Sequence, residues 1–176
     1  MRSFTFFTVL LALLFISACQ APAGDETSAA EETTQPVKAV ELVSRFFREV
    51  INQDKIEVLD SLLHPSFHSH HYPAPPGSDK APFIQGIRDL SVGFPDLKLT
   101  TNQQYGEGDK VFTYFTWTAT HSGTFNGIAA TNKQVKVDGM DIWREQDGQL
   151  IENWVVMDII GLMTQLGVVP PPPSPQ

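Results

Sequence analysis

The chain has 176 residues, a formal net charge of −8 at pH 7 and a pI near 4.9. Proteins that bind nucleic acid present a basic stripe to the phosphates, whereas the 12 lysines and arginines here are scattered, so a nucleic-acid partner is excluded. A composition of 41% hydrophobic and 18% charged residues is that of one globular domain with a sizeable core.

An export signal is predicted at the start of the chain, over residues 1–19. Arg2 precedes an apolar run from Phe4 to Ile16, which is shorter than the roughly 20 residues that a membrane-spanning helix needs. The ending ISAC is similar to the lipobox of bacterial lipoproteins, in which the cysteine carries the lipid, and Cys19 is the only cysteine. We therefore expect an exported chain that touches the membrane only through a lipid on Cys19. If the cell is Gram-negative, this places the chain at the outer membrane or periplasmic side. An ordinary cleaved signal is the alternative.

Two segments flank the predicted domain. Residues 20–36 hold no large apolar side chain, so they cannot contribute to a core and are predicted to be a flexible acidic tether. Residues 170–176, PPPPSPQ, are predicted to be an inert proline-rich tail, with recruitment of a proline-binding partner as the alternative. The folded domain is predicted at residues 37–169.

Three helices are predicted first along this domain. They are VKAVELVSRFFREVIN (residues 37–52), DKIEVLDSLL (54–63) and KAPFIQGIRDLSVG (80–93), in which apolar residues recur at helical spacing. Asp54 and Glu57 resemble a capping box for the second helix, which Pro65 stops. Ser78 or Asp79 can cap the third helix.

Four antiparallel strands are predicted next, because the period changes to two. They are LKLTTNQQY (97–105), KVFTYFTWTATHS (110–122), KQVKVDGMDIWRE (133–145) and QLIENWVVMDI (149–159). Helices followed by antiparallel strands predict an α+β domain with the helices packed on one concave sheet face. Gly139 inside a strand predicts a bulge that bends the sheet into a cone with a cavity.

Strand alternation predicts which side chains face this cavity. In the second strand they are Val111, Thr113, Phe115, Trp117, Ala119 and His121. In the third they are Val135, Val137, Gly139, Asp141 and Trp143, and in the fourth Trp154, Val156, Asp158 and Ile160, unless a bulge resets the count.

Asp141 is the strongest catalytic candidate on these apolar faces. A carboxylic acid in an apolar pocket has a raised pKa, so it can take and return a proton and suits enolisation beside a carbonyl. His121 could tune Asp141 or hold a substrate oxygen. The alternative for Asp141 is pairing with Arg144 or Arg88, or with backbone amides at the predicted bulge. For His121 the alternative is a structural role.

Asp158 and the histidine cluster are weaker candidates. Asp158 has a structural alternative, which is to cap the last helical turn, IIGLMTQLG. His64, His68 and His70 in HPSFHSHH (64–71) could bind zinc or copper, but the spacing fits no known type of site and no carboxylate or cysteine sits close in sequence, so no metal is predicted. His70 could instead rim the pocket, with YPAPPG (72–77) as a lid. A solvent-exposed loop is the alternative.

Four stretches are similar to the SnoaL-like polyketide or ester cyclases, which have the nuclear-transport-factor-2-like fold. They are FFREVINQDKIEVLDSLLHPSFHSH, GFPDLKLT, EGDKVFTYFTWTATHSGTFNGIAATNKQVKVDGMDIWRE and IENWVVMDIIGLMTQLG. The resemblance implies a cone-shaped α+β barrel and a cofactor-free intramolecular aldol condensation. It implies that Asp141 is the acid/base residue, with His121 as a pocket histidine. The expected substrate-binding residues are Phe115, Trp117, Trp143, Trp154, His70 and Asp158.

Two functions remain open from the sequence. The domain performs aldol, isomerase or ester chemistry on a small apolar carbonyl compound, or it binds a hydrophobic ligand without catalysis. The sequence has no G-x-S-x-G, H-E-x-x-H or glycine-rich phosphate loop, so no cofactor is expected. A structural lipoprotein with a filled pocket is a third alternative. The family resemblance also implies a homodimer through the outer sheet face.

Overall fold

The computed structural model of the chain describes residues 37–70 and 78–170. The predicted export signal with Cys19, the tether, His71, the predicted lid and residues 171–176 of the tail lie outside the described residues. Within the described part, no helix is both long and apolar enough to cross a membrane.

In the part of the chain that the structure describes, four helices precede, interrupt and follow the strands. They are α1 (residues 37–53, with a π-helical stretch at Phe46–Ile51), α2 (Leu59–Leu62, after a 3-10 turn at Ile56–Val58), α3 (Lys80–Gly93) and α4 (Ile159–Leu166). Helix α1 turns its apolar stripe inward, because Val43, Phe46, Phe47 and Val50 are all buried.

Six strands form one sheet. They are β1 (Leu63–Ser69), β2 (Ser78–Asp79), β3 (Lys98–Glu107), β4 (Lys110–Thr120), β5 (Gln134–Gln146) and β6 (Gln149–Met157). Their order across the sheet is β2-β1-β6-β5-β4-β3, and every neighbouring pair is antiparallel except β1 and β6. Helices packed on a curved, mostly antiparallel sheet confirm the predicted α+β fold.

The core lies between α1, α3 and the inner face of the sheet. The ring of Phe46 is 4.8 Å from that of Trp143, and the ring of Phe83 is 6.1 Å from the same indole. On the neighbouring strand, Phe115 packs 5.9 Å from Phe47. These aromatic contacts join the helices to β4 and β5, and so set the depth of the space that remains between the two layers.

The segment that contains His64 and His68 is a strand, so the predicted second helix (54–63) extends one residue too far. Helix α2 ends at Leu62, and β1 begins at Leu63 and runs parallel to β6. Pro65 is tolerated in this strand because the pairing with β6 shifts between Leu63 and His68. The predicted capping box is also wrong: Asp54 has a φ of 57°, and its carboxylate accepts a hydrogen bond from Ser91 Oγ at 2.6 Å.

Gly139 does not form the predicted bulge. Its pairing with Phe115 on β4 and with Met157 on β6 continues the register on both sides. A Cβ at this position would lie 2.6 Å from Phe115 Cζ and 2.9 Å from Met157 Cγ. Glycine is therefore needed for close packing, because it lets the Phe115 ring lie over the sheet.

Candidate active site

A cavity of about 60 Å³ opens between α1, α3 and strands β3 to β6. Thirteen of its fifteen lining residues are apolar, and the two polar ones are Asp141 and Asn153. Three of the predicted binding residues, Phe115, Trp117 and Trp143, line this cavity. The inner faces of β4 and β5 are the predicted ones, since buried and more exposed residues alternate along both strands.

Asp141 reaches the cavity from the middle of β5. It pairs with Thr113 on β4 and with Val155 on β6, and it is only 4% exposed. The indole nitrogen Nε1 of Trp143, two residues further along the same face, donates a hydrogen bond to Asp141 Oδ2 at 2.8 Å. The other oxygen, Oδ1, accepts no hydrogen bond from any described residue. The Trp143 indole thus holds one carboxyl oxygen of Asp141, and the other oxygen is available to a ligand.

Burial raises the pKa of Asp141 from its ordinary value of 3.8 to about 7. The indole N–H of Trp143 and the nearby Thr113 hydroxyl oppose this rise, because hydrogen-bond donors favour the charged carboxylate. A group with this pKa is present in both protonation states at neutral pH, which is the condition for general acid/base chemistry.

Among residues 37–70 and 78–170, no arginine neutralises Asp141. The guanidinium group of Arg144 instead pairs with Glu152 and lies 3.9 Å from Asp109. The backbone-amide alternative also fails, since Gly139 makes no bulge whose N–H groups could reach the carboxylate. Desolvation therefore acts on Asp141 without a compensating charge.

His121 does not meet Asp141, contrary to the prediction that it could tune the carboxyl group. Asp141 lies opposite Thr113 on β4. His121 comes eight residues after Thr113, which corresponds to about 26 Å along an extended chain. The histidine is buried beside Phe94 at a ring distance of 5.1 Å, and its Nδ1 accepts a hydrogen bond from the Thr131 backbone N–H at 3.2 Å. Desolvation lowers the pKa of His121, so a neutral structural imidazole is favoured.

Trp154 and His70 lie outside the cavity, because the inner face of β6 is the opposite of the predicted one. Paired residues share a face, so Val155, the partner of Asp141, points inward and Trp154 outward. The His70 ring stacks on the Trp154 indole at 4.4 Å and 3°, and its Nε2 lies 3.2 Å from Glu152 Oε1. The prediction that these two residues bind substrate inside the pocket is therefore wrong.

Asp158 is a helix cap, which corrects its assignment as a substrate-binding residue. It occupies the N-cap position of α4, and its Oδ1 accepts a hydrogen bond from the Gly161 backbone N–H at 2.8 Å. The side chain satisfies an amide that the first helical turn leaves without a partner. This was the structural alternative for Asp158.

Three residues of β6 that the sequence analysis missed line the cavity: Asn153, Val155 and Met157. The turn between β5 and β6 does not identify them, because counting back from the Gln146–Gln149 pair places Trp154 opposite Asp141. The pairing shifts between Arg144 and Glu145, so Val155 lies opposite Asp141 instead. Asn153, Val155 and Met157 therefore share the inner face with their partners Trp143, Asp141 and Gly139.

Metal ligation has no support within residues 37–70 and 78–170, where no three His, Cys, Asp or Glu side chains come together as a candidate site. His68 and His70 do contact each other, with ring centroids 4.8 Å apart. Their nearest acids, Asp79 and Glu152, form separate pairs with them.

The sequence pattern that defines the SnoaL-like polyketide cyclases matches residues 41–166, which is more than half of the chain. The chain belongs to this family. No protein with a curated function matches the sequence significantly.

Several solved structures have a similar fold. A candidate SnoaL-like polyketide cyclase from Jannaschia sp. CCS1 is 25% identical and superposes with a TM-score of 0.70, over 77% of this chain and 96% of that one. A candidate polyketide cyclase from Acidithiobacillus ferrooxidans is 29% identical, with a TM-score of 0.65 over 74% and 95% of the two chains. TsrD from Streptomyces laurentii is 28% identical, with a TM-score of 0.64 over 76% and 97%.

Proposed function

We propose that this SnoaL-like domain performs cofactor-free acid/base chemistry, of the aldol cyclisation or isomerisation type, on a small apolar carbonyl compound. The observation that carries the proposal is Asp141, in a cavity whose lining is apolar apart from this residue and Asn153. Burial raises the pKa of its carboxyl group to about 7, and its Oδ1 accepts no hydrogen bond from the described residues. Such a group exchanges protons with carbon acids at neutral pH, provided that water is kept away from the reacting atoms.

The proposed reaction begins with the charged form of Asp141. The carboxylate takes a proton from the carbon next to the carbonyl, and the electron pair of the broken C–H bond forms an enolate. In an isomerisation, protonated Asp141 returns the proton at another carbon. In an aldol cyclisation, the enolate carbon attacks a second carbonyl of the same molecule, and the new alkoxide takes the proton. Each cycle leaves Asp141 as it began.

A second candidate function is binding without catalysis. Two observations favour it: the lining of the cavity is mostly apolar, and His121 does not line it. Among the described residues, Asp141 is therefore the only titratable side chain in the lining of the cavity. In that case Asp141 would only exchange a hydrogen bond with the ligand.

Exchange of carbon-bound protons tests catalysis without the natural substrate. Incubated in D₂O with acetone or 2-butanone, the chain should accelerate loss of the α-proton NMR signals over the buffer rate. The rate should rise with pH to a plateau, with an apparent pKa of about 7, because the carboxylate is the active form. A rate that equals the buffer rate at every pH would contradict the enzymatic function and leave the binding function.

We also propose that the domain works outside the cytoplasm, attached by a lipid on Cys19, so that its ligand arrives from outside the cell. The support is the apolar run of residues 1–19 and its ISAC ending. Intact-mass spectrometry of the chain extracted from membranes should show acyl groups at Cys19, and a mass without them would contradict the anchor.

A second copy of the chain is the proposed partner of the outer sheet face. Met140, Ile142 and Val156 lie side by side on this face and are 51%, 39% and 69% exposed. Contiguous apolar surface of this kind marks an interaction site more often than a solvent face. Light scattering should give the mass of a dimer at micromolar concentration, and a monomer mass there would contradict the proposal.

A further inference from the structure

Asn153 is the second polar side chain of the cavity. It is 1% exposed and pairs with Trp143 across the strands, while Val155 pairs with Asp141. Asn153 and Asp141 are therefore diagonal neighbours on one face, about 7–8 Å apart. This spacing leaves room for a few atoms of a ligand between the two side chains.

The hydrogen bonds of Asn153 leave its donors available. Ser69 Oγ lies 3.4 Å from Asn153 Oδ1, so the amide oxygen faces a hydroxyl group from β1. No described residue accepts a hydrogen bond from the Asn153 amide nitrogen. A ligand oxygen in the cavity can accept a hydrogen bond from this amide nitrogen.

The cavity also restricts the charge and size of what can enter. No lysine, arginine or histidine lines it, so a carboxylate ligand would face Asp141 without a counter-charge. Its volume of about 60 Å³ is well below the roughly 150 Å³ of a cavity that holds benzene. Only the carbonyl end of a ligand fits between Asp141 and Asn153.

We propose that Asn153 is a second functional residue of this site, which donates a hydrogen bond to the carbonyl oxygen of the bound compound. The inference rests on the proposed acid/base role of Asp141. When Asp141 takes the α-proton, the C–H electron pair forms a carbon–carbon double bond, and the carbonyl π pair moves onto the oxygen. The N–H group of Asn153 points to the atom on which this charge develops, and one such donor contributes about 10²–10³-fold to the rate.

Carbon NMR of a labelled probe tests the contact directly. The full chain is titrated with [2-¹³C]acetone, with carbonyl-labelled methyl acetate as a second probe and acetate as the charged comparison. Binding should move the carbonyl signals of acetone and methyl acetate downfield, because a hydrogen bond polarises the C=O group, and acetate should show no saturable shift. In Asn153→Leu the downfield shift should disappear, and the exchange rate of acetone should fall by about 10²–10³-fold.

Two further variants keep the test decisive if Asn153→Leu fails to fold. Asn153→Ala removes the amide donor with a smaller side chain, so it should also lose the shift. Glu145→Gln alters a buried polar side chain of β5 that does not line the cavity, so it should retain both the shift and the rate. Retention of the shift in both Asn153 variants would overturn the proposal, and so would the lack of a saturable shift for both uncharged probes.

The failure of this inference is separable from that of the proposed function. Exchange that depends on Asp141 but not on Asn153 overturns the role of Asn153 and leaves the acid/base chemistry. A carbonyl shift that depends on Asn153, without any exchange that depends on Asp141, overturns the acid/base chemistry and supports the carbonyl contact.

Discussion

Asp141→Asn should lower the rate of α-proton exchange by about 10²–10⁴-fold, the usual contribution of a positioned general base. The amide has nearly the shape of the carboxyl group, and its oxygen can still accept the hydrogen bond from Trp143 Nε1, which is 2.8 Å from Asp141 Oδ2. The amide nitrogen, however, cannot take a proton from carbon. The variant thus removes the chemistry while it preserves the contacts.

A second buried acid on β5 provides the matched control. Glu145 is 6% exposed, and its Oε1 accepts a hydrogen bond from the Gly148 backbone N–H at 2.6 Å in the turn before β6. It does not line the cavity. Glu145→Gln should therefore leave the exchange rate within about twofold of the wild-type rate. If Asp141→Asn exchanged as fast as Glu145→Gln, Asp141 would not be the general base.

The sequence was sufficient to predict the centre of the sheet. In β4 and β5 the period of two predicts which residues share the inner face, and the structure buries Phe115, Trp117, Asp141 and Trp143 on it. Alternation is informative there because one face of each strand packs on helices, while the other faces outward. The raised pKa of Asp141 follows from that placement and could be anticipated from the pattern alone.

The inner face of β6 could not be predicted by the same rule. Leu150 and Ile151 are both buried, where the pairing with β5 shifts between Arg144 and Glu145. The extra residue on β6 changes which side chains point inward. Trp154 is also larger and more apolar than its neighbour Asn153, so an assignment by hydrophobicity places Trp154 inward and selects the wrong face. Asn153 is hidden from sequence analysis for this reason.

The separation of His121 from Asp141 depends on register, which a single sequence does not determine. Both residues lie on inner faces, but β4 and β5 are antiparallel, and Thr113 is the residue opposite Asp141.

The strand β1 was missed for a different reason. Its parallel pairing with β6 brings together parts of the chain some 80 residues apart, without a turn signal between them.

Asp141→Asn should also make the protein more stable at alkaline pH, by an amount that grows with pH. Folding raises the pKa of Asp141 from 3.8 to about 7, so the folded state binds more protons than the unfolded state between these values. The stability that this group contributes is complete below pH 4 and is lost as the pH rises to about 7. From pH 5 to pH 8.5 the wild type should therefore lose about 3 kcal/mol relative to the variant, at 1.36 kcal/mol per pKa unit.

Urea unfolding at several pH values measures this difference, because the free energy of unfolding extrapolates linearly to zero denaturant. The buried His121 changes stability in the opposite direction, since its lowered pKa destabilises the fold as the pH falls below about 6.5. That effect is common to both proteins and cancels when they are compared. Parallel stability curves for wild type and Asp141→Asn would mean that Asp141 is ionised and solvated in the folded protein. The expected result is that the two stability curves diverge with pH and that Asp141→Asn loses the exchange rate. This result would mean that the domain retains a destabilising carboxyl group because its chemistry requires it.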